Sequence, residues 1–113
     1  MNKYYVMALS ILSFNVMAGM TVSEYQSTKL SDKEEMEWYV AGLGNGFAFS
    51  NTKLESIHQK RMYCPPSTLK IGIPDLEGFI QKGIDEIGAK ESKDIQIEPL
   101  LLRQLIQAYP CKR

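Results

Sequence analysis

The sequence predicts an all-α fold, a small bundle of about four helices linked by a disulfide. Two observations carry this expectation. Three stretches place apolar residues at helical spacing between start and stop signals, and such stripes can be buried only against one another. The two cysteines, Cys64 and Cys111, fall in the central connection and just past the last helix, where one crosslink would close the bundle. With 113 residues and 44% apolar side chains, the chain has material for one domain and not for two.

Residues 1–18 read as an export signal. Lys3 supplies the positive start, Val6 to Phe14 the apolar stretch, and Val16-Met17-Ala18 the small-residue site after which cleavage is expected. Ser10 and Asn15 interrupt the stretch, which falls far short of the roughly 20 apolar residues of a membrane span. The mature chain is then residues 19–113, a single periplasmic domain with no membrane span after cleavage. In that oxidising compartment an even cysteine count argues for a Cys64–Cys111 disulfide rather than two thiols.

Within Gly19 to Leu30, Ser23 can cap a short helix carrying Tyr25 and Leu30. Ser31-Asp32-Lys33-Glu34 has the pattern of a capping box, which starts a helix running to about Ser50. Its stripe is Met36, Tyr39, Val40, Leu43 and Phe47. Gly42, Gly44 and Gly46 interrupt it, each costing up to about 1 kcal/mol relative to alanine. Gly42 and Gly46 share a face and are expected to admit a close helix neighbour or to mark a bend. A phosphate-binding glycine loop needs a preceding strand and a different spacing.

Asn51 to Pro74 is read as an irregular crossover, with Pro65-Pro66 inside it and Cys64 pinning it. Pro74 suits the first turn of a helix whose stripe is Leu76, Phe79, Ile80, Ile84 and Ile87, and Gly88 stops it. Ala89 to Gln96 is a charged connection. Pro99 opens a last helix with Leu101, Leu102, Leu105, Ile106 and Tyr109 on one face, ended by Pro110.

Residues that carry chemistry are few. His58 and Cys64 would make a nucleophile pair only if the thiol were free, and the disulfide removes it. One histidine and two paired cysteines leave no zinc set, so neither metal nor cofactor is expected. Glu34, Glu35 and Glu37 answer a helix dipole, while Asp85 and Glu86 sit on a polar face. Catalysis is therefore not expected. Thirteen basic and thirteen acidic side chains balance, so nothing draws the chain to nucleic acid. Two features point to protein contacts instead. Trp38 and Phe49 lie off the stripe of their helix, where they would form an exposed aromatic patch. Lys90-Glu91-Ser92-Lys93-Asp94 forms a charged turn between two well-marked helices.

Taken in order, Tyr39-Val40-Ala41-Gly42 with Gly46-Phe47, then Tyr63-Cys64-Pro65-Pro66, then a helix, a turn and Ala108-Tyr109-Pro110-Cys111, resemble the Rap/Tai group of immunity proteins. The resemblance spans about residues 36 to 111. It implies a small exported helical protein, often dimeric, that neutralises a cognate peptidoglycan amidase effector of a type VI secretion system in the periplasm. It also implies an intramolecular Cys64–Cys111 disulfide, close packing at Gly42 and Gly46, and inhibition by a loop that occludes the amidase cleft. Members often carry further cysteines near the start of the domain, and this chain has none. Gly88 to Ile95 is the loop expected to make the contact, through Lys90, Glu91, Ser92, Lys93 and Asp94. The competing expectation is a small acid-activated periplasmic holdase chaperone, which would expose apolar surface to many clients.

Overall fold

The structure, a computed structural model, describes residues 19–112. The expected export signal lies outside the described residues. Four helices follow one another: α1 (Val22–Ser31), α2 (Lys33–Ser56), α3 (Ile73–Ile87) and α4 (Ile97–Ala108). An isolated antiparallel bridge, Thr21 with Gln96, is the one extended pairing among the described residues. No helix among them is long and apolar enough to cross a membrane.

Thr21, not Ser23, caps α1: its hydroxyl accepts the Glu24 N–H at 3.1 Å and donates to the Glu24 carboxylate. The cap of α2 is Asp32 rather than Ser31. Ser31 is the last residue of α1, and its hydroxyl turns back to the Thr28 carbonyl. Asp32 serves both helices, donating its N–H to Thr28 at 2.7 Å and accepting the Glu35 N–H on its side chain at 3.0 Å. α1, which leads directly into this residue, thus moves the start of α2 by one position.

α2 continues to Ser56, beyond the expected end at Ser50. The hydroxyls of Ser50 and Thr52 bond back to the carbonyls of Gly46 and Ala48, so they do not compete with the helix. Its end is a Schellman turn. Gln59 N–H reaches the Leu54 carbonyl at 2.8 Å and His58 N–H reaches that of Glu55, with His58 at φ 59°. α3 starts where Gly72 N–H donates to the Asp75 carboxylate at 2.8 Å, and it stops at Gly88, whose φ is 114°. α4 opens at Ile97, two residues before Pro99, because a proline in the first turn lacks only an N–H that has no partner there.

The core joins Val22 and Tyr25 of α1, Met36 and Val40 of α2, Leu76, Ile80 and Ile84 of α3, and Ile97, Leu100, Leu101 and Leu105 of α4, with Tyr63 from the crossover. Phe79 meets Tyr109 edge to face at 5.9 Å between ring centroids. Beside that pair Cys64 and Cys111 are bonded, their Cα atoms 4.9 Å apart, and Cys64 N–H donates to the Tyr109 carbonyl.

The close approaches fall on glycines other than Gly42 and Gly46. A Cβ on either of those would meet nothing within 4 Å among the described residues. A Cβ on Gly44 would lie 2.5 Å from Leu76 of α3, and one on Gly83 would lie 2.8 Å from Leu100 of α4. Two residues are about 200° of helix, so the face that packs inward at Gly44 is opposite the one carrying Gly42 and Gly46.

Candidate functional site

The connection between α3 and α4, residues 88–96, is tied down by its own backbone and by the start of α1. Ser92 N–H bonds the Gly88 carbonyl and Ile95 N–H bonds that of Ser92. From across the molecule, Ser23 N–H bonds the Lys93 carbonyl at 3.1 Å and Val22 N–H that of Ile95 at 2.8 Å. The two free N–H groups that begin α1 are thus satisfied by the loop, which loses backbone freedom in exchange.

This arrangement divides the five candidate contact residues. Lys90, Glu91, Lys93 and Asp94 are exposed. Ser92 is 0% exposed, so it is no partner contact but the inward anchor of the turn. Its hydroxyl has no hydrogen-bond partner among the described residues.

A second surface lies on the outward line of α2. Trp38 and Phe49 are 73% and 74% exposed, and Gly42 and Asn45 between them are exposed as well. At about 100° per residue these four side chains share one face, opposite Met36, Val40 and Phe47. Of the two other stripe residues of α2, Leu43 packs against the core, while Tyr39 is 37% exposed and donates its hydroxyl to the Glu98 carboxylate of α4. Burial, then that hydrogen bond and the Glu98 charge, push the Tyr39 hydroxyl up to about 12.

Between α2 and the returning crossover is a cleft of about 420 Å³, with Asn45, Ala48 and Thr52 on one wall and Leu69, Ile71 and Ile73 on the other. At its foot Asn51, which periodicity does not single out, is buried and clamps the crossover. Its amide donates to the Tyr63 carbonyl at 2.9 Å and its oxygen accepts the Met62 N–H at 2.8 Å. Glu55 and Arg61 stand 4.0 Å apart, also lining the cleft.

Neither cysteine offers a thiolate, since both are in the disulfide, and His58 is exposed in the α2 terminal turn. Among the described residues no three His, Cys, Asp or Glu side chains gather where a metal ion would sit. What the geometry offers is contact surface: a polar loop held in one conformation and an aromatic helix face. Comparison of the chain with protein-family models, curated proteins and solved structures finds no match.

Proposed function

We propose that this chain is an exported immunity protein of the Rap/Tai type, a binding module that inhibits a cognate type VI secretion peptidoglycan amidase in the periplasm by occluding its cleft. The observation that carries the proposal is the anchored 88–96 loop. Its backbone is fixed by α1 and by Ser92, leaving little conformational freedom to lose on binding, and its outward side chains are four charges of both signs. The sequence resemblance supplies the target class.

The outward line of α2 suits a second copy of the chain, giving the homodimer. Glu34, Trp38 and Gly42 lie as far before the midpoint between residues 43 and 44 as Lys53, Phe49 and Asn45 lie after it. Two such helices crossing antiparallel about a two-fold would pair Glu34 with Lys53, Trp38 with Phe49 and Gly42 with Asn45, each contact made twice. A holdase chaperone is the second reading, favoured by the same exposed Trp38 and Phe49 together with Leu30, which is 90% exposed.

The test is titration of the protein, exported and recovered from the periplasm, into an assay of a candidate amidase effector. Complete inhibition at one protein per enzyme is expected, with reversal of all four charges at Lys90, Glu91, Lys93 and Asp94 weakening it at least tenfold. Inhibition unchanged by the reversal overturns the loop assignment. Binding of many unrelated denatured proteins at low pH, with no amidase inhibition, would install the chaperone instead.

A further inference from the structure

The carboxylate of Glu98 is built into a corner that leaves one oxygen without a partner among the described residues. Its Oε1 accepts the Met20 N–H at 2.9 Å and the Tyr39 hydroxyl. Its Oε2 is buried and accepts no hydrogen bond among the described residues. No lysine or arginine among them is paired with it: the ion pairs are Lys29–Glu77, Lys33–Glu37 and Arg61–Glu55. A buried carboxylate oxygen without a donor is costly and calls for one.

The backbone that closes this corner is Gly19. A Cβ built on Gly19 would lie 2.5 Å from Oε2 and 2.9 Å from Oε1, so the carboxylate rests against Gly19 and a side chain at 19 would have to displace it. The nitrogen and the Cβ position of one residue are about 2.5 Å apart, so the Gly19 nitrogen stands no more than about 5 Å from Oε2, a gap that a small turn of a free chain end closes. The next residues are fixed: Met20 accepts the Ile97 N–H at 2.8 Å and Thr21 bridges Gln96. Immediately upstream stands Val16-Met17-Ala18, with the small residues that an export peptidase selects.

We infer that Glu98 is a receptor for the α-ammonium of Gly19, created when processing cuts the Ala18–Gly19 bond, and that this docking locks the mature fold. Water, delivered by the host's processing peptidase, adds across the amide. Ala18 leaves as a carboxylate, and the amide nitrogen takes the protons that make it an ammonium. In the uncut chain that nitrogen is a neutral amide with one N–H fixed in the peptide plane. After the cut it carries a positive charge and three N–H donors free to rotate toward Oε2. The inference rests on the export part of the function proposed above.

The carboxylate this amine would meet is that of Glu98 from α4, which already holds the Tyr39 hydroxyl of α2, and the charge of Glu24 from α1 also acts on that hydroxyl. An amine paired with Glu98 holds its proton more tightly in the folded than in the unfolded chain, where it titrates near 7.7–8.0. The added stability is therefore fully present below that range and is lost as pH rises through the folded value. Tyr39, pushed up to about 12, titrates above this window.

The experiment expresses the full chain in an exporting host, takes the intact mass of the recovered protein, and titrates its α-amine by NMR with labelled glycine. Loss of residues 1–18 is expected, with an amine that titrates at least about one pH unit above its ordinary value. Glu98→Gln should return the amine to that value. Insertion of one alanine between Ala18 and Gly19, retained after cutting, should lower Tm by several degrees at pH 7 and by little at pH 11. An uncut chain, or one cut elsewhere, overturns both the export reading and the inference. A chain cut at Gly19 whose wild-type amine titrates normally overturns the inference alone, whether or not Glu98→Gln folds.

Discussion

The α3–α4 pair and helix α2 make opposite use of the same helical periodicity. α3 and α4 approach closely, with Gly83 under Leu100, and their large apolar residues turn mostly inward. α2 is the longest helix, 24 residues, yet it buries only Met36, Val40 and Asn51 and turns Trp38 and Phe49 outward. Burial accounts for most of the apolar residues of the first pair, although Ile106 of the expected α4 stripe is 41% exposed. It does not account for an exposed tryptophan and phenylalanine on one line, and that remainder is where contact with other molecules is to be sought.

The comparison can be broken most severely at the crosslink that joins the two parts, since Cys64 follows α2 and Cys111 follows α4. Cys64→Ser with Cys111→Ser releases a loop closed across a separation of 47 residues and should cost about 4 kcal/mol in denaturant unfolding. Next is Gly83→Ala, which sets a methyl 2.8 Å from the buried Leu100 and should cost about 1–3 kcal/mol. Gly42→Ala, on the open face, should instead stabilise the monomer by up to about 1 kcal/mol, while weakening any dimer formed through that face. Equal effects of the two glycine changes would erase the distinction between the helices.

Asn51→Ala removes both clamps from the crossover and leaves the Met62 N–H and the Tyr63 carbonyl without their side-chain partner. A loss of about 1–3 kcal/mol is expected, read by hydrogen exchange at Met62 as well as by unfolding. The smallest change is His58→Gly. At φ 59° a histidine is strained where glycine is not, so the variant should gain about 1 kcal/mol in thermal unfolding. A loss would mean that the exposed imidazole makes a contact of its own.

Much of the architecture was legible beforehand because it depends on short-range repetition. The stripes of α2, α3 and α4, the stop at Gly88 and the cysteine pair need only spacing and residue type. Where competing residues are adjacent, spacing fails. Ser31 and Asp32 can each cap a helix, and the choice fell to Asp32 because α1 already held Ser31. Ser92 stands among four charged residues and reads as exposed, yet it is buried in a loop whose neighbouring carbonyls, Lys93 and Ile95, bond the start of α1.

The sequence by itself determined the class: helices of these approximate extents, closed by a disulfide. Tertiary structure decided which glycine meets a neighbour, which polar residues turn inward and which carboxylate waits for a donor. Gly44 meets Leu76, Asn51 holds the crossover, and Glu98 lies 79 positions along the chain from the Gly19 it touches. Periodicity fixes the angle of a side chain around its own helix. Only the placement of the other helices says what stands at that angle, and that placement is a sum over contacts too distant in the chain for any local pattern to carry.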